Sequence, residues 1–306
     1  MKRNFLAIGE CMVEMAPTGA GTYRLGFAGD TLNTAWYARR ILPAGGPEGW
    51  DVSYLTGVGR DSVSEEMLAF FEDAGIRTDF VQRDDTRTVG LYIIQLADGE
   101  RSFSYWRSDS AARQLARDRT RLDAALAAAD VIYFSGITLG ILPKEQRGGF
   151  LEAVRAARGR GATVAFDPNL RPRLWEAREA MCAAVMAAAA VSDIVLPSFE
   201  DEATHFDDAG PAATVVRYME AGAPLVIVKN GPGEVLWQAD GAPRTFQVPP
   251  VSEVVDTTAA GDSFNAGFLA SHLQGADLET SVAAGARLAG RVIGRRGALV
   301  EFEQAV

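Results

Sequence analysis

The chain has 306 residues, 48% hydrophobic and 23% charged, a balance that buries a large core and excludes intrinsic disorder. A formal charge of −10 and a pI near 4.9 exclude a nucleic-acid partner for want of a basic surface, though local arginines can still hold small anions. Two unpaired cysteines, Cys11 and Cys182, fit a reducing compartment, and no apolar run reaches membrane-spanning length, so a cytoplasmic protein without a membrane partner is expected.

The opening "MKRNFLAIGECMVEM" carries a basic pair, but Glu10 cuts its apolar run too short for a signal peptide. From there short apolar runs alternate with helix-period segments. "FLAIGE" (5–10), "VSYLTGVG" (52–59), "VIYFSG" (131–136), "TVAFDPN" (163–169), "DIVLPS" (193–198) and "PLVIVKNG" (224–231) read as buried strands. In 62–75, Ser62 and Glu65 form a capping box, Met67, Phe70, Phe71 and Ala74 make one apolar stripe, and Gly75 sits at the C-cap. The alternation predicts an α/β fold with helices on both faces of a mostly parallel sheet and ligands at the carboxyl ends of the strands. The polar tails "GE", "DPN", "PS" and "KNG" are therefore site candidates.

The stretch 89–107 breaks this rhythm. "VGLYIIQLADGERSFSYWR" is two strand-like runs joined by Asp98-Gly99, a hairpin in which paired positions sum to 197. Tyr92 then faces Tyr105, Ile94 faces Phe103 and Gly90 faces Arg107, so one face carries Tyr92, Tyr105 and Arg107. Such a hairpin suits a small β-lid. The expected division is a core of 1–10, 27–87 and 108–306, with a lid of 11–26 and 88–107. An exposed lid edge favours pairing between subunits, so a homo-oligomer is expected.

Missing motifs narrow the function. There is no G-x-x-x-x-G-K-[ST] P-loop and no G-x-S-x-G elbow, and "GAGTYR" (19–24) lacks the third glycine and βα setting of a dinucleotide fingerprint. With only His205 and His272, a His/Cys zinc site is not expected, and both histidines read as surface or helix residues.

"DTTAAGDSFNAGF" (256–268) is informative. Phe264, Gly267, Phe268 and Ser271 share one helical face, so a helix begins near Gly261, and its first amides can bind an anion. Asp262 would stand beside a bound phosphate, where a carboxylate serves as a base on an attacking hydroxyl rather than as a phosphate ligand. By itself the stretch reads equally well as an ordinary helix cap after a small-residue loop.

Together with "AGDTLNTAWYARRI" (28–41), however, it closely resembles the two signatures of the ribokinase-like (phosphofructokinase-B type) carbohydrate kinases, and the resemblance runs through nearly the whole chain. It implies a three-layer α/β sandwich with a β-lid, ATP as phosphoryl donor, and magnesium accompanying the nucleotide. Asp262 is then the base, and the amides of Ala259, Ala260 and Gly261 form the anion hole. Within the family, "GECMVEM", "YWRSDSAAR" and "DPNLRPRLW" resemble the branch that acts on the sugar acid 2-keto-3-deoxygluconate. The residues agree, because a sugar acid needs a cation for its carboxylate and arginine supplies a two-pronged donor.

Arg107 is assigned to the carboxylate, with Tyr92 and Tyr105 closing over the sugar. Arg171 is assigned to substrate, transferred phosphoryl or both, while Arg113 and Arg173 are left at the surface or behind the site. The resemblance places hydroxyl contacts at Gly29, Asp30 and Asn33, although Asp30 reads equally as a plain N-cap. It places ATP contacts at Asn169, Ser198, Lys229 and Gly231, with Ala286 and Ala289 flanking the adenine or simply packing helix on helix. Two departures from the family pattern stand out. The glycine spacing in "KNGPGEV" is shortened, and the magnesium-linked Asn-x-x-Glu reads "SFEDE" (198–202), leaving Asp201 and Glu202 both open and no metal ligand assigned. A neutral-sugar kinase of the fructose or ribose type and a non-catalytic sensor on the same fold stand as alternatives.

Overall fold

The computed structural model describes residues 2–19, 21–46, 48–97 and 100–302. Among the described residues the strands are β1 Arg3–Ile8, β2 Met12–Gly19, β3 Thr22–Ala28, β4 Trp50–Leu55, β5 Gly57–Val58, β6 Gln82–Arg83, β7 Gly90–Ala97, β8 Glu100–Trp106, β9 Val131–Ser135, β10 Thr163–Asp167, β11 Ile194–Val195, β12 Leu225–Val228, β13 Glu234–Gln238 and β14 Arg244–Gln247. Eight of them form one sheet in the order β14-β13-β12-β11-β10-β9-β1-β4, parallel from β12 to β4. The β13 and β14 strands add an antiparallel edge that the apolar-run pattern did not reveal, because "EVLWQ" and "RTFQ" are short and half polar.

Alternate residues of the central strands enter opposite layers, as the two-residue period of a strand requires. Phe5, Ala7 and Tyr133 join one apolar core, and Leu6, Ile8 and Phe134 the other. The first core is closed by α1 (Asp30–Ile41), α2 (Ser62–Asp73), α9 (Ala260–Leu273) and α10 (Leu278–Ile293). The second is closed by α3 (Arg119–Ala127), α4 (Gly136–Ile141), α5 (Lys144–Gly159), α6 (Arg178–Ala189), α7 (Phe199–Phe206) and α8 (Pro211–Glu220). This is the three-layer arrangement the strand and helix alternation predicts. Among the described residues, no helix is long and apolar enough to cross a membrane.

One helix start differs from expectation. Asp61 caps α2 by accepting from the Ser64 amide at 3.0 Å, so Ser62 is already the first helical residue and the capping box is not formed there. Aspartate is as good an N-cap as serine, and sequence spacing cannot choose between neighbours. Gly75 follows the helix at φ 72°, as expected of its C-cap position.

A second sheet, ordered β3-β2-β7-β8, stands apart from the first. Its β7–β8 pairs are Tyr92 with Tyr105 and Ile94 with Phe103, each summing to 197 as expected. The Asp98-Gly99 turn itself lies outside the described residues. β1 pairs with β4 on one side and β9 on the other, and the chain leaves in opposite directions from β1 and β9. A switch point of this kind is where open α/β sheets take their ligands, outside the strand carboxyl ends that carry the polar tails.

Candidate active site

The site is built around the head of α9. Ala259 caps it in the left-handed region (φ 60°, ψ 17°), a conformation that costs a non-glycine residue about 1–2 kcal/mol. The loop is fastened by Asp256, whose carboxylate accepts from the amides of Thr258 at 3.0 Å and Gly297 at 2.7 Å. Inside the turn, Ser263 Oγ donates to the Ala259 carbonyl at 2.7 Å. The first intrahelical bond runs from Ser263 N–H to Ala259 O at 2.9 Å, so the Gly261 and Asp262 amides precede it and head the helix dipole. Ala260, expected among three open amides, instead donates its N–H to Thr257 O at 3.1 Å. The turn that raises Ala259 into the left-handed region folds that amide back on the loop.

Asp262 lies in the first turn, and its carboxylate accepts from Asn33 Nδ2 at 2.8 Å. Asn33 Oδ1 in turn accepts from the Gly29 amide at 3.4 Å, and Thr34 Oγ1 donates to the Asp262 carbonyl at 3.2 Å. The Asp262 carboxyl is pushed up from 3.8 to about 7, first by burial and then by the charges of Asp30 and Asp167, against the opposing pull of Asn33 and Lys229. A carboxylate poised near neutrality is matched to general-base work.

Below the helix runs a buried polar network. Lys229 Nζ donates to Asp167 Oδ2 at 3.1 Å and to Asn265 Oδ1 at 3.0 Å. Asn265 Nδ2 reaches Asp167 at 2.6 Å and Tyr133 Oη at 3.0 Å, and Tyr133 meets Thr34 at 3.2 Å. The lysine ammonium would lie 3.6 Å from a Cβ on Gly261, so its charge sits just behind the amides at the helix head. Lys229, expected as a nucleotide contact, is buried and donates to Asp167 and Asn265.

The residues expected around the accepting hydroxyl converge on the same place. Gly29 occupies the N-cap of α1 in extended backbone, and a Cβ there would overlap the Glu10 carbonyl oxygen, so only glycine lets the end of β1 and the head of α1 meet. Asp30 is the first residue of α1 and not its N-cap; its carboxylate accepts from Asn169 Nδ2 at 2.7 Å. Burial raises the Asp30 carboxyl above the ordinary range, with the Asp167 charge adding to the rise and hydrogen bonds from Ser135 and Asn169 opposing it. Asn169, at φ 33°, is thereby tied to the acceptor-side group instead of standing apart with the nucleotide group.

From the second sheet, Tyr105 is 47% exposed, its ring 5.8 Å from that of Tyr92, and the Arg107 guanidinium lies 5.9 Å from the Tyr105 centroid. The expected common face is therefore present. Tyr92 is buried, however, and its hydroxyl donates to Glu14, so only its ring is available to a sugar. Arg107 pairs with buried Glu10. Neither glutamate was singled out as a site residue from the sequence; the only signal was the polar tail "GE" at the end of an apolar strand.

The outer positions are more varied. Arg171 is half exposed, donating to its neighbour's carbonyl at 2.6 Å and meeting Asp201 at 3.4 Å. Ser198 caps α7 and bridges to Lys229 in parallel register, and Gly231 takes φ 53° with nothing near its Cβ position. Ala286, expected near adenine, is buried in the core with α9 and α10, so helix packing accounts for it; Ala289 is packed against the same core. Glu202 is fully buried, donated to by Tyr218 Oη at 2.9 Å and paired with Arg217 at 2.7 Å. It is closed to a metal ion, leaving Asp201 as the more open carboxylate of "SFEDE". Among the described residues no group of three or more His, Cys, Asp or Glu could hold a metal. His272 stacks on Phe268 at 5.7 Å, a packing role.

Residues 2–304 match the family described as "pfkB family carbohydrate kinase". The chain belongs to the pfkB family. Among its curated relatives are 2-dehydro-3-deoxygluconokinases from Dickeya dadantii, 40% identical over 98% of both chains, and from Haemophilus influenzae, 38% identical over 96% of this chain and 94% of that one. The Escherichia coli K12 enzyme of that name is 37% identical over 99% of each. Among solved structures, a Xylella fastidiosa fructokinase with bound ATP superposes with a TM-score of 0.84 at 25% identity, covering 97% of this chain and 94% of that one. A Thermotoga maritima 2-dehydro-3-deoxygluconokinase superposes at 0.82 with 20% identity, over 98% and 96%, and so shares the fold.

Proposed function

We propose that this pfkB kinase transfers the γ-phosphoryl group of ATP to the terminal primary hydroxyl of 2-keto-3-deoxygluconate (2-dehydro-3-deoxygluconate), giving the 6-phosphate and ADP. The observation that carries the reading is Asp262, a carboxylate held by Asn33 at 2.8 Å in the first turn of α9, beside the Gly261 amide that precedes the first intrahelical bond. Asp262 takes the hydroxyl proton, the alkoxide oxygen bonds to the γ-phosphorus, and the bond to the β-phosphate oxygen breaks. The Gly261 and Asp262 amides, backed by the Lys229 ammonium, stabilise the charge that develops on the transferred group. Magnesium bound with the nucleotide would neutralise phosphate charge, and Asp201, more open than Glu202, is the carboxylate of this segment that would help to hold it.

The choice of a sugar acid is supported by Arg107, a largely buried cation on the tyrosine-bearing face of the second sheet, and by the activity named for the relatives at 37–40% identity. A neutral sugar gives such a cation nothing to pair with. We propose that Arg107 receives the substrate carboxylate, that Tyr105 and the ring of Tyr92 cover the sugar, and that the second sheet acts as the lid.

A coupled ADP-release assay over 2-keto-3-deoxygluconate, its galactonate epimer, fructose and ribose tests this reading. Turnover is expected with 2-keto-3-deoxygluconate at a kcat/KM roughly 10- to 100-fold above the neutral sugars, the gap that one lost charge-assisted pair produces. Faster turnover of fructose or ribose would overturn it in favour of a neutral-sugar kinase, and no ADP release with any sugar in favour of a sensor.

A further inference from the structure

Two carboxylates lie buried at the root of the second sheet, and the phosphoryl-transfer scheme uses neither. Glu10 follows β1 and Glu14 lies on β2; they are 1% and 7% exposed. Buried carboxylates are retained only with partners. Glu14 accepts from Tyr92, its register partner across β2 and β7. Glu10 accepts from Ser110 Oγ through Oε1 and meets Arg107 Nη2 through Oε2. Arg107, largely buried, and Tyr92, buried, both assigned to the acid-binding face, are thus held by carboxylates, Glu10 in the segment joining the two sheets and Glu14 on β2.

The Glu10–Arg107 contact has an unusual form. The charges touch, yet Glu10 Oε2 and Arg107 Nη2 and Nε, all shielded from solvent, have no hydrogen bond of acceptable geometry among the described residues. A guanidinium prefers two parallel donors on one carboxylate. Glu10 therefore fixes where the cation sits through Nη2, while Nε is left without a hydrogen-bond partner among the described residues. The backbone is shaped to allow this. A Cβ on Gly90 would come within 2.8 Å of Glu10 Oε1 and 3.2 Å of Arg107 Cβ, so a side chain there would push the pair apart. The Glu10 carbonyl, in turn, abuts Gly29 at the head of α1.

We infer that Glu10 is a positioning residue for substrate selection: it sets the Arg107 guanidinium, through Ser110 and the Gly90 gap, at the distance from α1 where a sugar-acid carboxylate completes its hydrogen bonds. The inference rests on the sugar-acid kinase reading above. It makes a signed prediction that simple charge counting reverses. Glu10 carries the same charge as the incoming carboxylate, so on Coulomb grounds alone its removal strengthens acid binding. If Glu10 instead holds the arginine in place, removal weakens binding.

The test is ADP release by purified Glu10→Gln and Ser110→Ala against 2-keto-3-deoxygluconate at saturating ATP, with thermal unfolding run alongside. For Glu10→Gln the expected result is a KM for the acid raised roughly 10- to 100-fold, with kcat within about threefold and KM for ATP unchanged. Ser110→Ala, which leaves the charge and removes only the other anchor, should raise the same KM by a smaller factor. An unchanged or lowered KM for the acid in folded Glu10→Gln overturns the inference. Where that variant fails to fold, an unchanged KM in Ser110→Ala overturns it. Wild-type turnover of the acid in the same assay keeps the two readings apart: with turnover present, an unmoved KM removes Glu10's role alone, and with turnover absent the sugar-acid reading falls and takes the inference with it.

Discussion

Replacing Asp262 by asparagine removes the proton acceptor while keeping its shape and the oxygen that accepts from Asn33 Nδ2. A positioned general base contributes roughly 10²–10⁴ in rate, so kcat should fall by that factor with both KM values little changed. The same substitution should stabilise the fold above neutral pH, and the size of the effect follows from the carboxyl's environment. Its folded pKa of about 7 against an ordinary 3.8 means that the folded chain holds a proton the unfolded chain has released between those values. Stability is thus full below about pH 4 and is lost as pH rises through 7, by about 4 kcal/mol if the shift is taken whole. Asp262 is partly open to the crevice, so solvent screening reduces this to about 2–3 kcal/mol. Asp262→Asn escapes that loss. Its melting temperature should exceed that of the wild type by several degrees at pH 8 and match it at pH 4, read by thermal unfolding across pH. Wild-type kcat/KM should rise with pH through about 7 as the base deprotonates. Near-normal turnover in Asp262→Asn would refute the base assignment, and a stability gain equal at pH 4 and pH 8 would refute the electrostatic account of the site.

Three further outcomes can be checked. Arg107→Ala should raise KM for the sugar acid at least about tenfold while sparing KM for ATP, measured by ADP release, and an equal rise for both would make Arg107 structural. Gly29→Ala, whose Cβ would overlap the Glu10 carbonyl, should cost about 3 kcal/mol by denaturant unfolding, the upper end for overpacking because the clash is with backbone. Arg217→Met leaves Glu202, already raised to about 7 chiefly by burial, without its cation. The loss should reach about 3–5 kcal/mol at pH 8 and shrink toward pH 5, where Glu202 takes up a proton; a pH-independent loss would contradict the assignment.

Much of the fold was legible because its signals are local. Six apolar runs marked strands of the central sheet, since a strand buried on both faces must be apolar throughout. The Asp98-Gly99 dipeptide fixed the β7–β8 register although the turn lies outside the described residues, because hairpin register depends on loop length alone. The helix start at 260 followed from the period of Phe264, Gly267, Phe268 and Ser271. The strands β13 and β14 were missed for the converse reason: an antiparallel edge need not be apolar.

What the sequence determined by itself was the kind of most elements in the central sheet and its helices, and the presence of a carboxylate in the first turn of the helix at 260. Tertiary structure alone decided what each charge touches. Asn33 meets Asp262 across 229 positions, Lys229 meets Asp167 across 62, and Glu10, just before β2, meets Arg107, just after β8. Periodicity and turn chemistry act over a few residues, whereas the partner of a buried charge is set by which strand ends the topology brings together. For that reason Glu202 read as an open metal candidate and proved sealed against Arg217, and Glu10 read as a strand's polar tail and proved to be a buried anchor.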